Sequence, residues 1–124
     1  MNGFAHLRVH SEYSLVDGTI RIDELMEQAV QLRVPAVGVT DAGNLFACVK
    51  AYAAAEAKGI KPIVGVDLAL DAQADGEREA EPPRITLLAM DRRGYRDLCA
   101  LVTRSFREGH RRERPMVKIG RAHV

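Results

Sequence analysis

Short apolar runs and segments of helical periodicity take turns along this chain, and that alternation limits the folds open to it. Residues 5–9 read as a strand, with Leu7 and Val9 on one face. A polar loop containing Asp17-Gly18 follows. Ile22, Leu25, Met26, Ala29, Val30 and Leu32 then recur at helical spacing, with Asp23 and Glu24 in the first turn, where carboxylates suit the helix dipole. Pro35 lies beyond that helix and residues 36–40 form a short buried strand. Asp41-Ala42-Gly43-Asn44 is a turn signal, and 45–58 is an alanine-rich helix with Gly59 placed to cap its end. Strands are expected at 62–70 and 84–90, separated by an acidic, aperiodic loop holding Pro82-Pro83. A helix is expected at 92–106, buried through Tyr95, Leu98, Cys99, Leu101, Val102 and Phe106. The order β-α-β-α-β-(loop)-β-α argues for parallel βα units in an α/β sheet or barrel, and no solenoid-length repeat competes with it.

A chain of 124 residues with 47% hydrophobic content can bury one core. No apolar run approaches the roughly 18 residues that span a bilayer, and residues 1–7 lack the apolar stretch of a secretory signal, so the expected location is cytoplasmic. Cys48 and Cys99 match no zinc or redox spacing and are expected as small core residues. The net charge of +1 hides a division. Residues 91–124 hold 10 basic and 4 acidic side chains, and residues 1–90 hold 8 and 13. A basic segment of this kind is either a solvated surface or a contact with nucleic acid.

In folds of this class functional residues collect where strands end. His10 follows the first strand, Asp17 lies in the loop after it, Asp41 follows the second and Asp67 lies near the end of the third. Imidazole and carboxylates converging on one rim are ligands for Zn²⁺, Mn²⁺ or Mg²⁺. The same residues also suit a plainer role, since Asp before Gly or Asn often hydrogen-bonds its own turn and a single His is often structural.

Four blocks together carry a resemblance. They are His6 to Ser14 with Asp17-Gly18, Thr40 to Leu45 followed by Gly59 to Val66, Ile85 to Met90, and Gly94 to Leu98. In order and spacing they resemble the PHP (polymerase and histidinol phosphatase) domain, in the form it takes at the start of α subunits of bacterial DNA polymerase III. The resemblance covers residues 4 to about 109. It implies a seven-stranded βα barrel, of which this chain would hold the first four strands or so. It also implies a parent DNA-directed DNA polymerase using Mg²⁺ in a palm domain absent here. The implied partners are the proofreading exonuclease subunit, other holoenzyme subunits, and DNA through the parent.

Residue by residue, the metal pattern of active relatives is broken. Arg8 stands where His-x-His would place its first histidine. Ala42 replaces the histidine of the second block, Asp67 stands for a glutamate, and Arg84 for a histidine at the fourth strand. A guanidinium has no lone pair to donate and repels a cation. His10, Asp17, Asp41 and Asp67 therefore read as a vestigial site. Arg8 or Arg84 is expected to pair with one of the aspartates, and the fragment is expected to bind no cofactor. Active PHP relatives would instead hold Zn²⁺ or Mn²⁺ and hydrolyse phosphate esters. Residues 1–118 read as the N-terminal part of the domain. Residues 119–124 coincide with the translation of a common sequencing adapter, ATC-GGA-AGA-GCA-CAC-GTC, and read as a non-native tail.

Overall fold

The computed structural model describes residues 3–14, 18–71, 83–108, 110–111 and 114–118. Strand β1 (His6–Val9), helix α1 (Ile22–Gln31), strand β2 (Ala36–Val39), helix α2 (Cys48–Ala57) and strand β3 (Lys61–Asp71) form two successive parallel crossovers. Strand β4 (Arg84–Leu88), helix α3 (Arg92–Arg107) and two short strands, β5 (His110–Arg111) and β6 (Arg114–Lys118), complete the described fold. The sheet runs β1-β2-β3-β6-β5, with β4 paired to β3. The architecture is α/β, an open partial barrel with its helices on one side.

Two features differ from the sequence expectation. β4 is antiparallel to β3, Asp67 lying opposite Thr86, a pairing consistent with the aperiodic sequence of the segment that joins them. The acidic loop between them lies mostly outside the described residues, as does the proposed tail 119–124. Two further short strands, not read individually from the sequence, follow α3. β6 pairs parallel with the end of β3 through Ala69–Met116, and β5 forms a short antiparallel pair with β6.

Side-chain alternation divides the sheet into two faces. Val9, Val37 and Val39 turn toward α1 and α2, where Ile22, Met26, Ala29, Ala51, Ala55 and Ile60 complete a buried cluster. Val66 and Leu68 on β3 build a second cluster with Leu98 on α3 and Val117 on β6. Alanines at 51 and 55 let α2 approach the sheet closely. Leu7, on the same face as Val9 by alternation, is 46% exposed at the β1 edge. On α3 the buried stripe narrows to Leu98 and Ser105, with Cys99, Leu101 and Val102 half-buried and Tyr95 and Phe106 exposed. Both cysteines are free and half-buried rather than core. Burial and the nearby Cys99 push the Cys48 thiol up, against a lowering contact from Tyr95, which leaves it a poor nucleophile.

Both crossover helices end in the same way. After α2, Gly59 adopts φ 72°, its N–H donates to Glu56 O at 3.3 Å, and Ile60 N–H donates to Ala55 O at 2.9 Å. After α1, Arg33 takes the equivalent left-handed position at φ 58°, with Arg33 N–H on Val30 O and Val34 N–H on Ala29 O, both at 3.1 Å. These are Schellman closures, which favour glycine at that position because a Cβ crowds the carbonyl. Gly59→Ala is expected to lower the stability of this chain by about 1 kcal/mol, and Arg33→Gly to raise it by up to about 1 kcal/mol. Urea unfolding of the two variants checks the opposite signs.

Candidate functional site

The face of the sheet turned away from the helices carries the polar residues. On β1 the alternation that sends Val9 to the core sends Arg8, and His10 just beyond the strand, to this face. On β3 it sends Asp67, and on β4 Thr86. Asp67 is buried in mid-strand, with only 1% of its surface exposed. Its Oδ2 accepts from Arg8 Nη2 at 2.7 Å and lies 2.6 Å from His10 Nε2. Its Oδ1 accepts from the Thr86 hydroxyl. Burial alone would push the Asp67 carboxyl up. The hydrogen bonds from Thr86, Arg8 and His10, with the Arg8 charge, outweigh it and hold the group below the usual carboxylate value.

Asp41 forms a separate cluster just past β2. Its Oδ1 accepts from Ser11 N–H at 2.6 Å, Ser11 Oγ at 2.9 Å and Ser14 Oγ at 2.8 Å, and its Oδ2 from Ser11 Oγ at 2.8 Å. The Ser14 hydroxyl in turn accepts from Ala42 N–H at 3.0 Å. The single 3-10 turn Glu12–Ser14 is thus fastened onto the Asp41 carboxylate. Asn44 reinforces the junction, donating to Tyr13 O at 2.9 Å. The two clusters meet through the backbone. Asp67 N–H donates to Asp41 O at 3.0 Å and Gly43 N–H donates to Asp67 O at 2.8 Å. Gly43 turns there at φ 70°, a conformation that a side chain would strain.

His10, Asp67 and Arg8 are therefore brought together, and Asp41 sits one bridge away with its own donors. Asp17 lies outside the described residues. Ala42 pairs with Asp67 by a β-bridge and offers only a methyl group. Arg84 opens β4 opposite Ala69, on the same face as Thr86 and two residues before it. Ser11, Ser14 and Thr86 were not singled out from the sequence. A Ser-x-x-Ser spacing ahead of a helix gave no chemical signal, and Thr86 gains meaning only from the antiparallel register. Among the described residues no group of three or more His, Cys, Asp or Glu side chains could hold a metal ion. The donor set of these described residues does not fit one. The Asp67 oxygens are already taken by a cation, an imidazole and a hydroxyl, and those of Asp41 by two serines.

A shallow apolar groove lies on the other, helix side of the sheet, lined by Val39, Asp41, Cys48, Tyr52 and Val64 among others. Asp41 lines it, whereas neither His10 nor Asp67 does.

Arg8→Leu leaves the Asp67 carboxylate buried with fewer donors. Because Arg8 is 56% exposed and repays some desolvation when freed, the expected loss is about 1 kcal/mol at pH 7, below the roughly 1.5–3 kcal/mol of a bond to a charged group between buried partners. A depressed carboxyl stabilises the fold above its unfolded value of about 3.9, and that contribution disappears as pH falls through the lower folded value. The unfolded chains titrate Asp67 alike, so the stability gap between wild type and Arg8→Leu should be level where Asp67 is ionised in both folds and shrink as pH falls from the variant's higher folded value toward the lower wild-type one, as read by urea unfolding at each pH.

Comparison with known proteins agrees with this frame. A profile of the PHP domain matches residues 6–122. The chain is 44% identical over 126 residues to the DNA polymerase III subunit alpha of Xylella fastidiosa strain Temecula1, covering 90% of this chain and 10% of that protein. It is 45% identical over 108 residues to the subunit of the same name from Pseudomonas aeruginosa, covering 87% and 9%. The chain thus spans about a tenth of the length of the curated relatives it matches. An amidohydrolase from Chromobacterium violaceum, solved with bound sulfate and no metal, shares the fold with a TM-score of 0.61 at 24% identity, over 86% of this chain and 34% of its own. A partial α/β barrel, a polar cluster on the sheet face away from the helices and a matching profile over nearly the whole sequence give one conclusion, that the chain belongs to the PHP domain family.

Proposed function

We propose that this chain is the N-terminal PHP portion of the α subunit of a bacterial replicative DNA polymerase III, and that its own polar cluster performs no chemistry. Identity of 44–45% to the front of two such subunits supports the first half. The observation that carries the second is the buried Asp67 carboxylate occupied by the Arg8 guanidinium at 2.7 Å. The full-length polypeptide would extend primed DNA with deoxynucleotides, using Mg²⁺ held by its downstream palm domain. This domain would serve as a scaffold in the cytoplasm, docking the proofreading exonuclease subunit and other holoenzyme subunits. Among the described residues no helix is long and apolar enough to cross a membrane, which suits that setting.

The PHP family also suggests a metal-dependent phosphoesterase, in which bound Zn²⁺ or Mn²⁺ would activate water. The residues of this chain act otherwise in the described arrangement. Asp67 orients Arg8 and His10, and Asp41 fastens the turn after β1. Zinc content of the full-length protein, measured by plasma mass spectrometry after incubation and dialysis, separates the readings. Wild type is expected to hold substoichiometric zinc in this domain, and Arg8→His with Arg84→His to hold more. Stoichiometric zinc in wild type, bound as tightly as in the double variant, would sink the silent-pocket reading. Phosphatase activity abolished by Asp41→Ala would replace it with the enzyme reading.

A further inference from the structure

We propose that the outward face of α3 is a docking surface for the phosphodiester backbone of duplex DNA. The helix carries five arginines, Arg92, Arg93, Arg96, Arg104 and Arg107, and all are exposed. At 3.6 residues per turn they fall within an arc of about 120° centred opposite the buried Leu98, sharing it only with Ala100 and Thr103. The carboxylates Asp97 and Glu108 lie at the flank of this arc. Arg104 pairs with Glu108 at 3.5 Å, whereas Arg92, Arg93, Arg96 and Arg107 have no ion-pair partner among the described residues.

This arrangement is unfavourable for the helix by itself. Arg92 and Arg96 are spaced i,i+4, and Arg93–Arg96 and Arg104–Arg107 i,i+3, where like charges repel. Arg92 and Arg93 also occupy the first turn, the positive end of the helix dipole, where Asp91 caps by accepting from Gly94 N–H at 2.8 Å. An ordinary solvated face would alternate signs along these spacings. A polyanion laid along the arc relieves every one of these repulsions. From Arg93 to Arg107 the axis runs about 21 Å, the rise of about six phosphates of one strand. Guanidinium forks suit phosphate oxygens better than lysine ammonium groups do. Tyr95 and Phe106 fall outside the arc, so no ring is presented for stacking unpaired bases, which favours a duplex backbone over a single strand.

The choice of DNA rests on the replication reading, and primer extension by the full-length protein tests that reading separately. The test of the surface uses Arg93→Gln with Arg96→Gln and Arg107→Gln in the full-length protein. Glutamine keeps helix propensity close to that of arginine, so the fold is preserved, with circular dichroism as the check. Binding to a duplex of about 30 base pairs is followed by fluorescence anisotropy between about 50 and 200 mM salt. Each lost phosphate contact removes about 0.9 from the slope of log affinity against log salt, so the triple variant should lose about 2.7 and bind at least tenfold more weakly at the lowest salt. The exposed pair Lys58→Gln with Lys61→Gln should leave the slope unchanged. An unchanged slope in the triple variant overturns the proposal, as does an equal drop in the lysine control. Intact DNA binding with lost affinity for poly-L-glutamate would also overturn it, assigning the face to an acidic protein.

Discussion

A carboxylate buried in the middle of a strand must be met by donors on every side, and Asp67 gathers much of this structure around that requirement. Its side chain binds β1 through Arg8 and His10, and β4 through Thr86. Its backbone accepts from Gly43 and donates to Asp41, fixing the segment that leaves β2. Three stretches distant in sequence thus converge on one residue. Removing a single donor leaves the others strained toward an under-satisfied charge, whereas a neutral, apolar residue there would free all of them at once. Such a pair adds little net stability over apolar residues of similar volume, because desolvation of the carboxylate offsets the attraction.

Much of this was legible in the sequence because it depends on periodicity. The helical stripe Ile22, Met26, Ala29 and the runs at 36–40 and 62–70 have one physical solution, a sheet with helices on one face, and the structure adopts it. Gly59 was legible as a helix cap for the same local reason. Arg33 was not, since arginine carries no preference for the left-handed conformation it adopts there and tertiary packing of Val34 imposes it. The direction of β4 was not read from the sequence, although the aperiodic, proline-containing stretch before it, expected as a loop, was the signal that favoured an antiparallel return. The short strands after α3 were missed for lack of length, and their pairing comes from β3 extending beyond β2 to Asp71.

The candidate site was legible in its members and less so in its wiring. His10, Asp41 and Asp67 were marked by their place at strand ends, and Arg8 by its departure from a family pattern. That Arg8 selects Asp67 rather than Asp41 follows from alternation, which puts residues 8 and 67 on one face. Asp41 lies beyond the regular strand and meets Ser11 and Ser14 instead. Serine hydroxyls serve many local roles and announce none of them in sequence.

A metal ion and a guanidinium can both neutralise a buried carboxylate, yet they leave different chemistry behind. The metal has open coordination positions at which water loses a proton. The guanidinium offers five N–H donors, remains protonated, and has no lone pair with which to bind or activate water. On the silent-pocket reading, exchanging one for the other keeps the electrostatic anchor that holds β1, β3 and β4 together while removing the reactive species. The exchange also attaches the cation covalently to β1, so the anchor no longer depends on metal supply. A domain that has lost its reaction can in this way keep its shape, and shape is what a scaffold must present.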